Sequence, residues 1–321
     1  MAEKKITSIG GQAVIEGVMM RGPHKIAIAV RKPDGEIIID EKDINNKTKW
    51  IVKVPILRGV WSFFSSMITG VKALMFSAKF YDIDDGTPLE NKEEAVKSEE
   101  DNSKKTSKKK DSNEMPEWML YISVLISLVI SVSLFFVLPN FITNFVVQDK
   151  VAHPILYNFI ESLIKLFIFG SYMALVSQMK DIQRVFEYHG AEHKSIFCYE
   201  NGEELTVENV KKYTRFHPRC GTSFLLFVII ISILVFSLLG VYENVFINIG
   251  LRLLFLPVVA GLSYEVIKFA GRSTNKCITW LNEPGKWLQR LTTREPDDSQ
   301  IEVAIASLKA VIPENKDDDK W

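Results

Sequence analysis

The chain has 321 residues, 47% hydrophobic and 24% charged, and its Lys+Arg 39 balance its Asp+Glu 39. That neutrality removes the electrostatic case for a nucleic-acid partner, and the segregation of charge into separate stretches suits a membrane protein better than one globular domain. The three cysteines, Cys198, Cys220 and Cys277, make no disulfide framework and point to a reducing compartment.

The chain starts Met-Ala-Glu-Lys-Lys and then turns glycine-rich, without the apolar core of a cleavable signal peptide. Insertion is therefore expected to be directed by internal apolar helices. Residues 1–53 are expected to form a glycine-rich loop and a β-hairpin unit. The segment Gly10–Pro23 (GGQAVIEGVMMRGP) sets Glu16 and Arg21 among glycines and reads as neither strand nor helix, but as chain making close backbone approaches. It has no Gly-Lys-Ser/Thr and no dinucleotide-binding spacing. Two readings fit it equally: a substrate loop closing over a cytoplasmic site, with Arg21 binding an anionic substrate, or a compact structural turn. Ile26–Val30 and Glu36–Asp40 flank Lys-Pro-Asp-Gly, a turn signal of the kind that closes a hairpin.

Residues 54–81 are long and apolar but interrupted by Arg58, Lys72 and Lys79, which predicts amphipathic helices lying in the membrane interface or packed against a bundle. Residues 82–117 are charged and nearly free of large apolar side chains, the composition of a disordered linker; the basic run Lys104–Lys110 suits contact with anionic lipid headgroups.

Residues 118–264 predict a four-span membrane bundle. Met119–Leu138 and Ser223–Tyr242 are uncharged and long enough to cross. Ile155–Gln178 carries Glu161 and Lys165, a self-neutralising i,i+4 pair, and Val245–Tyr264 carries Arg252. Lys and Arg crowd the connection 179–222, the N-terminal region and the tail 265–321, while the connection 139–154 holds only Lys150. The bias places both termini and the 179–222 loop in the cytoplasm of an inner (plasma) membrane protein. In the tail, Trp280 and Trp287 suit an interface. A short helix is expected over Ser299–Val311 behind Asp297-Asp298, with an apolar stripe of Ile301, Ala304, Ile305 and Leu308. The expected fold class is mainly α: a polytopic four-helix bundle, interfacial helices and a small N-terminal β-containing cytoplasmic unit.

The chemistry gathers at one membrane depth. Glu187–Lys194 (EYHGAEHK) contains His-x-x-Glu-His, the inverted zincin pattern. On a continuous helix, His189 and His193 share a face and suit one divalent ion, with Glu192 beside them as base for a bound water. Gly190 argues against a perfectly regular helix there. His217 and Cys220 lie just before the third span, and Glu265 ends the fourth on the same side. The expected metal ligands are His189 and His193 with one or two of His217, Cys220 and Glu265. Each has a plainer explanation: a buried thiol, a turn at His217-Pro218, or pairing of Glu265 with Lys268 or Arg272.

Gly10–Pro23, Glu187–Lys194 and His217–Ser223 resemble the signature blocks of the YqhQ-like bacterial membrane proteins, a family of unknown function, and the resemblance runs over nearly the whole chain outside the linker. Members carry the label of metal-dependent enzymes, which implies a role for His189, Glu192, His193, His217 and Cys220. The expectation is a metal-dependent hydrolase, with zinc first by donor type, acting on a lipid-linked or membrane-proximal substrate among membrane lipids. The alternatives are an ion-sensing or transport protein, which as a narrow four-span bundle would need to form a homo-oligomer, and a scaffold binding a partner through the hairpin unit and tail.

Overall fold

A computed structural model of the chain describes residues 6–44, 53–81, 117–147, 154–240, 242, 244–272, 283–315 and 318–319. The charged linker, Cys277 and Trp280 lie outside these. Four strands, β1 (Gly10–Val14), β2 (Gly17–Arg21), β3 (Lys25–Arg31) and β4 (Ile37–Asp43), form an antiparallel sheet in chain order. The expected hairpin is β3–β4. The glycine-rich segment differs from expectation, because it forms β1 and β2 around a turn at Ile15–Glu16 rather than a loop. Glycine lowers strand propensity, but neighbours covering both faces override it.

Those neighbours explain the composition of β3, which is apolar at every interior position. Ala27 and Ala29 face a core shared with Tyr188, Ile196, Ile301 and Leu308, while Ile28 and Val30 face Ala73 and Phe76. Alternation along the strand sends successive side chains to opposite faces. The first face is covered by α5 (Lys180–Glu200) and α10 (Asp298–Val311), the second by α1 (Leu57–Ala78). The stripe read in the tail, Ile301, Ala304, Ile305 and Leu308, is buried here. Asp297 caps α10 in a reciprocal capping box with Gln300.

The remaining helices are apolar: α2 (Glu117–Val132), a π-helical turn at Ser133–Val137, α3 (Leu138–Val147), α4 (Pro154–Val176), α7 (Gly221–Leu239) and α8 (Val245–Arg272). The helical run does not stop at Leu138 as expected but continues to Val147. The widened turn stands immediately before Pro139, where a proline ring and its missing N–H disrupt the preceding turn. Two shorter helices, α6 (Val207–Lys211) and α9 (Glu283–Thr292), complete the order.

Four described helices are long and apolar enough to cross a membrane: Leu57–Ala78, Leu125–Val147, Ile155–Val176 and Phe246–Ala270. These include α1, which the sequence reading places in the interface. The expected third span appears as α7, with a shorter apolar run at Phe227–Leu239. One end of α1 lies on α8, where Gly59 faces Gly261 and Tyr264. Further along, α1 covers the sheet through Ala73. Inside the helical bundle, Lys165 reaches Glu161 at 2.8 Å as expected, and Arg252 of α8 also pairs with the same buried carboxylate.

Two substitutions test this packing. Asp297→Ala is expected to lower unfolding stability by about 1 kcal/mol in denaturant titration, through loss of the cap. Gly190→Ala sets two effects against each other. Alanine favours a helix by about 1 kcal/mol, but an added Cβ would stand 2.0 Å from the Arg294 carbonyl oxygen. Overpacking against backbone wins, so net destabilisation of about 1–3 kcal/mol is expected by the same measurement.

Candidate metal centre

The site is built on α5, which is regular through Gly190. Gly190 is there because the Arg294 backbone crosses the helix at that point, its N–H donating to the Phe186 carbonyl at 2.8 Å. A regular helix puts His189 and His193 one turn apart on one face, with ring centroids 4.4 Å apart. Cys220 caps the N-terminus of α7 and turns its thiol toward them, with Sγ 3.2 Å from His189 Nε2. One donor atom from each of His189, His193 and Cys220 lies within 4.8 Å of the others.

Backbone carbonyls fix both imidazoles. Nδ1 of His189 lies 2.8 Å from the Thr292 carbonyl oxygen, and Nδ1 of His193 contacts that of Arg215. A carbonyl only accepts, so each Nδ1 carries the proton and each Nε2 is left for the cavity. This is the arrangement in which an outer carbonyl sets the tautomer of a ligating histidine.

Glu192 completes the group from the same helix. One carboxylate oxygen accepts the Gly11 amide N–H at 3.0 Å, and the other is buried with no hydrogen-bond partner among the described residues. The close approach needs a glycine, because a Cβ on Gly11 would stand 3.1 Å from the Glu192 carboxyl carbon and 2.5 Å from the Met19 carbonyl oxygen.

Electrostatics follow from burial and proximity. Burial raises the Glu192 carboxyl pKa above the usual range, against the pull of both histidines. Burial alone would lower the His189 pKa, but the Cys220 charge and hydrogen bond outweigh it and carry it up to about 9. Burial would raise the Cys220 thiol, but His189 and His193 hold it well below its ordinary value. Without a metal, Cys220 and His189 thus each favour the charged form of the other.

The other expected residues divide. The His217 ring lies 5.5 Å from that of His193, but its nitrogens face Arg219 N at 3.3 Å and Glu200 at 3.8 Å. Burial lowers its pKa to about 4, so it is neutral. Glu265 is not brought to the cluster; Arg58 grips its carboxylate from α1. Glu16 is turned away, paired with Arg184 and accepting from Tyr188 at 3.2 Å. Arg21 lines the same cavity of about 780 Å³ as His189, Glu192, His193 and Cys220. Sequence reasoning missed Glu200, Gln289 and the carbonyls of Thr292 and Arg215. Gln289 holds His217 by accepting its N–H at 2.8 Å and donating to its carbonyl at 2.7 Å. Carbonyls leave no residue-type signal; Gly11 did, as part of the glycine-rich segment.

The chain is 36% identical over 325 residues to "Uncharacterized protein YqhQ" of Bacillus subtilis (strain 168), covering 97% of this chain and 95% of that one. No solved structure matches. The family described as "Protein of unknown function (DUF1385)" matches over residues 54–314, and the chain belongs to that family.

Proposed function

We propose that the chain is a metal-dependent hydrolase of the bacterial inner membrane, with both termini and the site on the cytoplasmic side. The observation that carries the reading is the oriented trio of His189, His193 and Cys220 beside a buried, half-satisfied Glu192. The donor set fits a borderline-soft divalent ion, zinc first, since two neutral imidazoles and a thiolate are its common ligands. The Lys and Arg bias of the flanks and the four long apolar helices support the membrane placement.

In this reading His189, His193 and Cys220 hold the ion. A bound ion supplies Lewis acidity and a water acidic enough to attack at neutral pH. Glu192 is the base. The Gly11 amide fixes one oxygen, and the second, raised in basicity by burial, takes the proton and returns it to the leaving group. The sheet and α5 exclude bulk water from one side of the carboxylate.

Elemental analysis of purified full-length protein is expected to find about one zinc per chain, as three protein donors plus water imply. His193→Ala should empty the site; undiminished metal in that variant would overturn the ligand assignment. Glu192→Gln should keep the metal and lower turnover of an accepted ester, phosphoester or amide by about 10²–10⁴-fold. Wild-type turnover in that variant would remove Glu192 as the base.

A second reading rests on the 3.2 Å contact between Cys220 Sγ and His189 Nε2 at the N-terminus of α7. Such a pair is a metal-free nucleophile and its acid–base partner. Rapid alkylation of Cys220 in protein shown to be metal-free, with activity lost in step, would favour it; chelator-sensitive activity favours the metal.

A further inference from the structure

The cavity has a second chemical feature besides the histidine and cysteine cluster. Arg21 stands opposite Gly10 in the sheet, next to the Gly11 amide that holds Glu192. Its guanidinium is half-buried and bonds the Ser65 hydroxyl at 3.2 Å. Among the described side chains the other buried or half-buried arginines each have a carboxylate: Arg31 has Glu302, Arg58 has Glu265, Arg215 has Glu295, Arg219 has Glu200 and Arg252 has Glu161. Among the described residues Arg21 has no carboxylate within ion-pair distance, and burial pulls its pKa down. A desolvated cation without a counter-charge is costly unless an anion arrives to meet it.

The wall around Arg21 is made by the two helices that meet at Gly59. From α1 come Ser62, Ser66 and Thr69, one hydroxyl-bearing face at i, i+4 and i+7, and from α8 come Tyr264 and Lys268. The outward face of α1 is apolar and exposed, with Trp61, Phe64, Met67, Ile68, Val71 and Met75. A helix with hydroxyls toward a cationic cavity and large apolar side chains outward matches an amphiphile with an anionic head and hydrocarbon tails. A forked guanidinium with hydroxyl donors around it suits the several oxygens of a phosphate.

We propose that Arg21 binds the phosphate head of a membrane phospholipid-class molecule in this cavity, with the tails along the outer face of α1, and that such lipids are the substrate class of the adjoining site. The substrate role rests on the hydrolase reading; binding at Arg21 does not. The cavity, about 780 Å³, is of the size that holds a small-molecule head group.

Calorimetry on full-length protein in a non-ionic detergent tests this, with metal content measured on each sample. The probes are dihexanoyl phosphatidic acid, dihexanoyl phosphatidylcholine and inorganic phosphate. Phosphatidic acid is expected to bind most tightly, and Arg21→Gln to weaken it by about 10–100-fold, the worth of a charge-assisted hydrogen bond. Equal affinity in that variant overturns the site. Inorganic phosphate binding as tightly as phosphatidic acid overturns the lipid source. Should Arg21→Gln fail to fold, Ser65→Asp keeps Arg21 and supplies the missing counter-charge at the position it already bonds, so the same loss is expected; unchanged binding overturns the proposal. His193→Ala separates the two readings. Arg21-dependent binding without metal in any sample leaves the lipid site standing and ends the metal hydrolase, whereas metal retained by wild type with no lipid binding does the reverse.

Discussion

The hydrogen bond from the Gly11 amide to the Glu192 carboxylate joins the sheet to α5, and the arrangement of the site hangs on it. A carboxylate 5% exposed is stable only if something replaces its water. One backbone N–H does so for one oxygen, and the absence of a side chain at Gly11 allows the approach. The other oxygen is left over, in the same cavity as the two histidines and the thiol. Fully satisfied, Glu192 would be a structural strut; half satisfied, it is available for proton transfer.

Much of this was legible in the residues. The i,i+4 spacing of His189 and His193 implied a shared face, and depth along the apolar segments brought Cys220 to them. The β3–β4 hairpin followed from Lys-Pro-Asp-Gly, and α10 from its stripe and cap. Other parts were hidden for physical reasons. Gly10–Pro23 did not read as strands because glycine has little strand preference, and only α5 on one side and α1 on the other make an extended path favourable. Gly190 suggested an interrupted helix, whereas it marks a crossing by backbone some hundred positions later, a contact that leaves no local pattern. Glu265 was placed by depth alone, and depth cannot tell which neighbour claims a carboxylate; Arg58, from an element read as interfacial, claims it.

The bundle carries its own polar centre. Glu161 was read as half of a local pair with Lys165, but it is shared with Arg252 of α8, which also reaches Asn158 at 3.4 Å. Two basic side chains from two helices thus meet on one buried carboxylate. A pair within one helix fixes nothing beyond that helix, while a link from α4 to α8 sets the rotation of one against the other, since alternatives would leave a buried charge alone.

The sheet has a temporal consequence. Val18 and Met20 are covered by Ile301 and Leu308, and Thr7 near one end of the chain bonds Asp319 near the other at 2.9 Å, with Tyr199 holding the same carboxylate at 2.8 Å. During synthesis the first strands therefore emerge long before the helix that completes their core, and the apolar helices are made in between. The cavity, bordered by β1 and holding a histidine oriented by Thr292, is assembled last, when Thr7 and Asp319 meet. A truncated or stalled product would hold its long apolar helices without an organised site.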